Sequence, residues 1–132
     1  MDLYAQNILD HYKNPRNAGH LENPTVTHRE ANHFCGDILE LDLKLNGIGI
    51  KDVRFRGEGC AISQASMSML SEDLIGMKKQ SAQKLSPNHI DKMLGIHVSS
   101  RRLKCALLSL LTLKNALSKA SGGASLTWND LI

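Results

Sequence analysis

Leu39, Leu41, Leu43 and Leu45 are separated by Glu40, Asp42 and Lys44, the period of two expected of a strand with one buried face. Asn46-Gly47 supplies a hairpin turn, and Val53 and Phe55 alternate with Asp52, Arg54 and Arg56 in the returning strand. A more weakly patterned stretch, Thr25 to Ala31, is read as an edge strand. Elsewhere the period is helical. Tyr4, Ile8, Leu9 and Tyr12 mark a helix from Leu3 to Lys13, with Asp2 as its N-cap and Pro15 as its stop. Ile62, Ala65, Met67, Met69, Leu70 and Leu74 mark another, from about Ala61 to Ile75, closed by Gly76. Ser86-Pro87 opens a short helix that Gly95 ends. Ser99 or Ser100 caps a final long helix whose buried stripe is Leu103, Ala106, Leu107, Leu110, Leu113 and Leu117, with Gly122-Gly123 at its end. Strands come first and helices follow, without the alternation that a parallel sheet needs, so the pattern predicts an α+β fold.

The length of 132 residues predicts a single domain over 1–132, with an apolar C-terminal segment from about 121 to 132. That segment carries Leu126, Trp128, Leu131 and Ile132, and is expected to pack back on the domain. Hydrophobic residues make up 42% of the chain but aromatic ones only 4%, which implies an aliphatic core and no stacking platform for single-stranded bases. The net charge of +3 is scattered, so no basic stripe suggests a nucleic-acid partner. No basic segment followed by an apolar run opens the chain, and Cys105 to Leu113 is about half a membrane span. A cytoplasmic protein without a membrane partner is expected.

Three cysteines cannot all pair, which points to thiolate or metal chemistry in a reducing compartment. Cys60 and Cys105 fall at predicted helix starts, where free N–H groups and the macrodipole favour a thiolate, and Lys104 would add to that. Cys35 and Asp37, two apart at the entry to the Leu-rich strand, would share one face of an extended chain. Three thiolates and a carboxylate make a four-ligand set that zinc accepts. The wide intervals from Cys35 to Cys60 to Cys105 match no zinc-finger spacing, however, and a lone cysteine also serves as a small buried hydrophobe. His33 is a further ligand candidate or a surface residue. Met67, Met69 and Met77 are read as core filler, and Arg101-Arg102 as a solvated basic face beside a thiol.

The run Gly57-Glu58-Gly59-Cys60-Ala61-Ile62-Ser63-Gln64-Ala65-Ser66-Met67-Ser68-Met69 resembles the second cysteine motif of the NifU N-terminal, IscU and SufU family of iron-sulfur cluster assembly proteins. Asp10-His11-Tyr12 with Asn14-Pro15-Arg16-Asn17 is similar to that family's N-terminal signature. Cys35-Gly36-Asp37 resembles its first cysteine motif, and Arg102-Leu103-Lys104-Cys105-Ala106 its third. The resemblance implies a three-stranded antiparallel sheet packed against about four to five helices, with the cysteines gathered at one end beside Asp37. It implies a site of Cys35, Asp37, Cys60 and Cys105 for zinc or a 2Fe-2S cluster, with Cys35 and Cys105 as candidate sulfur acceptors. The implied partners are a cysteine desulfurase and recipient apoproteins, with a homo-oligomer when a cluster is bound. The implied function is acceptance of desulfurase sulfur, either to assemble a cluster as scaffold or to relay persulfide as a zinc-dependent acceptor with sulfurtransferase activity.

The chain departs from the family pattern at named places. Lys104 precedes the third cysteine, as in SufU-type proteins, where IscU-type scaffolds have histidine, and a protonated lysine cannot ligate a metal. The interval from Cys60 to Cys105 lacks the SufU insertion, which makes the length IscU-like. His97-Val98-Ser99-Ser100-Arg101 replaces the Leu-Pro-Pro-Val-Lys segment read by the IscU chaperone, and His33 replaces a proline. A structural zinc domain that mediates protein contacts, without sulfur chemistry, is the alternative from another class.

Overall fold

Three strands, β1 (Val26–Asn32), β2 (Asp37–Asn46) and β3 (Gly49–Glu58), form an antiparallel sheet in the order β1-β2-β3 in the computed structural model, which describes residues 2–132. The leucine alternation works as its period requires. Leu39, Leu41 and Leu43 are all fully buried, and Phe55 and Val53 stand opposite Leu41 and Leu43 on β3. The other face carries Glu40, Asp42 and Arg56, whose guanidinium pairs with Glu40 at 2.7 Å and Asp42 at 3.1 Å.

Helix α1 (Leu3–Lys13) is N-capped by Asp2, whose carboxylate accepts the Ala5 N–H at 2.8 Å. It packs on α2 (Ala61–Leu74), which in turn lies against β3 and the long C-terminal helix α5 (Leu103–Ser121). Because α2 is enclosed by neighbours, its small polar residues are buried and each must be paired. Ser66 Oγ donates to the Ala106 carbonyl at 2.9 Å, and Ser68 Oγ meets His11 Nδ1 at 2.7 Å and accepts the Arg16 N–H at 2.8 Å. Met67 and Met69 are buried in the same aliphatic cluster, as core filler should be.

The register decides where the chemistry falls. Asn32 faces Asp37 across the β1–β2 connection, and Ile38 faces Glu58 at the far end of β3. The start of β2, the end of β3 and the start of α2 therefore meet at one end of the sheet.

Several boundaries differ from expectation. Strand β1 runs one residue later at each end than the predicted Thr25 to Ala31, and α2 stops at Leu74 because Ile75 is already extended. Helix α3 (Lys79–Gln83) has no apolar period, burying only Ala82, so no pattern announced it. Helix α4 (Pro87–Leu94) opens on Pro87 and ends at a left-handed Gly95, as predicted. Neither Ser99 nor Ser100 caps α5 directly: the Arg102 N–H donates to the Ser99 carbonyl at 2.9 Å, making a 3₁₀ turn over Ser100–Arg102 that leads into the helix. The C-terminal segment packs back through α6 (Trp128–Leu131), opened by a Thr127–Asp130 capping box and anchored by buried Leu131. Among the described residues, no helix is long and apolar enough to cross a membrane.

Candidate metal and sulfur site

Residues 33–36 form an exposed turn between buried Asn32 and buried Asp37. Asn32 builds it: its Oδ1 accepts the Phe34 N–H at 3.3 Å, and its carbonyl accepts from Cys35 at 3.3 Å and Gly36 at 2.9 Å. Gly36 completes the turn at φ 73°, in the left-handed region. Cys35 thus sits on the turn, outside the strand, and the expected sharing of a strand face with Asp37 is corrected. The two donors converge because the chain folds back on itself.

Cys60 occupies the N-cap position of α2, and its backbone N–H donates to Asp37 Oδ1 at 2.9 Å. Its thiol lies 3.9 Å from Ser63 Oγ. Gly59, at φ 146°, passes so close to Asp37 that a Cβ there would fall inside the carboxylate. Cys105 is the third residue of α5 and only 1% exposed; its thiol donates to Cys35 Sγ at 3.1 Å, and Asn32 Nδ2 points at it from 3.8 Å.

One donor atom each from Cys35, Asp37 and Cys105 lie within 4.8 Å of one another. The Cys60 thiol stands outside this trio but lines the same recess of about 700 Å³, together with Phe34, Lys104 and Ile132. His33 is exposed and does not belong to the trio. Asp37 Oδ2 is buried without a hydrogen-bond partner among the described residues. An unpartnered buried carboxylate oxygen beside two thiols is costly by itself and is satisfied by a cation, so the donor set fits zinc or iron.

Electrostatics supports that fit. Burial pushes the Cys105 thiol well above its ordinary range, and its hydrogen bond to Cys35 and the nearby acidic groups of Asp37 and Cys60 push the same way. The expectation of a thiolate prepared by the helix start is therefore corrected for Cys105: desolvation and clustered acids outweigh the macrodipole. A coordinated cation reverses that balance, because metal ligation deprotonates a thiol. Lys104 faces aromatic rings. Its ammonium lies 4.1 Å from the Phe34 ring centroid and 5.8 Å from that of Trp128.

Three contributors escaped the sequence reading: Asn32, Gly59 and Phe34. An Asn three residues ahead of a Cys-Gly pair is a turn signal that could have marked Asn32. Nothing local marks the approach of Gly59 to Asp37, which joins the residue after β3 to the start of β2.

The NifU-like N-terminal domain family model matches residues 3–124. The zinc-dependent sulfurtransferase SufU of Bacillus subtilis strain 168 is 36% identical over 92% of this chain and 93% of its own. The iron-sulfur cluster assembly scaffold protein IscU of Thermotoga maritima is 34% identical over 90% of this chain and 95% of its own. Among solved structures, a SufU protein of Fervidobacterium islandicum AW-1 superposes with a TM-score of 0.76 at 32% identity, covering 85% of this chain and 94% of that one.

Proposed function

This chain belongs to the family of NifU-like N-terminal domains, and on that premise we propose that it is an iron-sulfur cluster assembly protein that accepts sulfur from a cysteine desulfurase. Residues 1–132 act as one unit, in the cytoplasm, where free thiols stay reduced. The observation that carries the reading is the pairing of an exposed thiol, Cys35, with a buried one, Cys105, 3.1 Å behind it and beside an unpartnered carboxylate oxygen.

Cys35 is the first acceptor, because an incoming persulfide can reach it. Its thiolate attacks the terminal sulfur of the desulfurase persulfide; the enzyme's S–S bond breaks, the enzyme's cysteine leaves as thiolate, and a new S–S bond forms on Cys35. Cys105 is the second acceptor, within reach of the sulfur on Cys35 and sheltered from water. Zinc held by Cys35, Asp37, Cys60 and Cys105 would supply the positive charge that keeps these thiols deprotonated. Asp37 is the replaceable ligand, since a single carboxylate oxygen among thiolates is the weaker partner of a soft site. A closed structural zinc site usually has Cys and His ligands, whereas an aspartate among thiolates is a replaceable oxygen ligand suited to turnover, which argues against the alternative of a pure interaction domain.

A second reading, the scaffold, is favoured by the recess itself. About 700 Å³ of space lined by all three cysteines leaves room for iron and sulfide as cargo, a 2Fe-2S cluster bound for a recipient apoprotein, with a second copy of the chain covering the exposed side.

The test is anaerobic incubation of the protein with cysteine and a desulfurase, with and without iron, followed by intact and peptide mass spectrometry and visible absorbance. An extra sulfur on Cys35 before any chromophore develops, lost in Cys35→Ser, is the expected result. A full cluster chromophore with no sulfur detected on any cysteine would leave the scaffold alone.

A further inference from the structure

We propose that Lys104 is a positioning residue for the Cys35 turn: its ammonium, held on the Phe34 ring and facing Trp128, ties that turn to the start of α5 and to the C-terminal segment. It thereby sets how readily Cys35 swings out to a partner's sulfur. The consequence for sulfur transfer rests on the reading above that Cys35 is the acceptor.

The turn needs such a tie. All four of its residues are exposed, and Phe34 is 80% exposed, so hydrophobic burial does not hold it down. The ammonium contact at 4.1 Å uses the electron-rich ring face instead, within the range where a cation is attracted to an aromatic quadrupole. Lys104 is a firm anchor, because it lies in the first turn of α5 and the next residue, Cys105, is buried.

Trp128 is firmly seated as well. Asn115 grips the segment before it, accepting the Leu126 N–H at 2.6 Å and donating to the Leu126 carbonyl at 3.1 Å, while its amide also donates to Glu30 Oε1 at 2.7 Å. Trp128 packs against the core cluster and lies beyond residues 3–124 that the family model matches. One ammonium thus links three segments that meet only in the folded chain.

The contact is testable on metal-free, reduced protein without a desulfurase. Alkylation of each cysteine by iodoacetamide is followed by peptide mass spectrometry, and Trp128, the single tryptophan, reports through its fluorescence. Lys104→Met and Phe34→Leu should each raise the Cys35 alkylation rate about two- to five-fold, the factor that an exposed cation–π contact supports. Phe34→Leu keeps the charge, so it separates release of the turn from loss of a cation near the thiol. Lys104→Arg should restore the wild-type rate, since a guanidinium also stacks on rings. Lys104→Met should change Trp128 emission, and Lys104→Arg should return it toward wild type. Cys105 alkylation should stay slow throughout, which shows that the fold persists.

Cys35 rates in Phe34→Leu equal to wild type, or a Lys104→Arg protein indistinguishable from Lys104→Met, would overturn the tie. The two readings fail separately. Faster alkylation in a protein that takes no sulfur on Cys35 sinks the acceptor assignment alone, whereas sulfur uptake with unaltered alkylation sinks the tie alone.

Discussion

The backbone N–H of Cys60 donates to Asp37 Oδ1 at 2.9 Å, which joins the start of α2 to the start of β2 and leaves the other carboxylate oxygen free. This bond orients the carboxylate, one oxygen of which lies within 4.8 Å of the thiols of Cys35 and Cys105. It forms only because Gly59 lets the chain pass against the Asp37 side chain.

Gly59→Ala should therefore disturb Asp37, which it contacts through space, and Cys60, the next residue in the chain. The new methyl would displace the carboxylate, and φ 146° is unfavourable for any side chain. Zinc affinity should fall about 10–100-fold, the usual effect of disturbing the groups that orient a ligand. Competition with a chromophoric chelator measures it, and an unchanged affinity would mean that Asp37 does not need this orientation.

Replacing any one thiol by serine, at Cys35, Cys60 or Cys105, should lower zinc content and Tm together, because metal binding to a folded site is also folding free energy. The loss should be smallest for Cys60→Ser, whose thiol stands outside the close trio. Full zinc occupancy in all three variants, measured by elemental analysis after gel filtration, would be incompatible with a shared site.

Asp37→Ala separates the metal-free from the loaded protein. Without metal, it removes a buried unpartnered oxygen while stranding the Cys60 N–H, so the two effects offset and the net cost should stay below about 3 kcal/mol. With a reconstituted cluster, loss of the exchangeable oxygen should prolong retention and slow transfer to an apoprotein. Cluster decay followed by visible absorbance checks this, and faster decay than wild type would make the oxygen a required structural ligand.

His11 should give the stability a dependence on mild acid. Burial pushes its pKa down and Arg16 adds to that, against the opposing carboxylates of Glu72 and Asp10. The folded pKa lies below the unfolded value of about 6.5, so the unfolded chain binds the proton first. The contribution is complete above the unfolded pKa and is lost as pH falls from there through the folded pKa. Urea midpoints should drop below about pH 6.5 more steeply in wild type than in His11→Gln, which keeps a polar group near Ser68. Parallel pH profiles for the two proteins would exclude His11 as the source.

Periodic and contiguous features were legible in the residues alone. The Leu39 to Leu45 alternation, the helical periods of α1, α2 and α5 and the Asn46-Gly47 turn are local signals, and each became the expected element, although α1 buries only Ile8 of its periodic residues, leaving Tyr4 and Tyr12 exposed, and α2 is buried on nearly all sides. The likeness of the three cysteine motifs carried the family and the ligand candidates. Tertiary structure alone decided how the candidates stand to one another. Pairing of Asn32 with Asp37 set Cys35 on an exposed turn, and packing of α5 on β1 and β2 buried Cys105 behind it, so the two neighbouring thiols have opposite exposure. The same burial overrode the helix-start effect on Cys105, and the docking of the C-terminal segment brought Trp128 within reach of Lys104. Desolvation and contact distance depend on atoms remote along the chain, and no local pattern of residues encodes them.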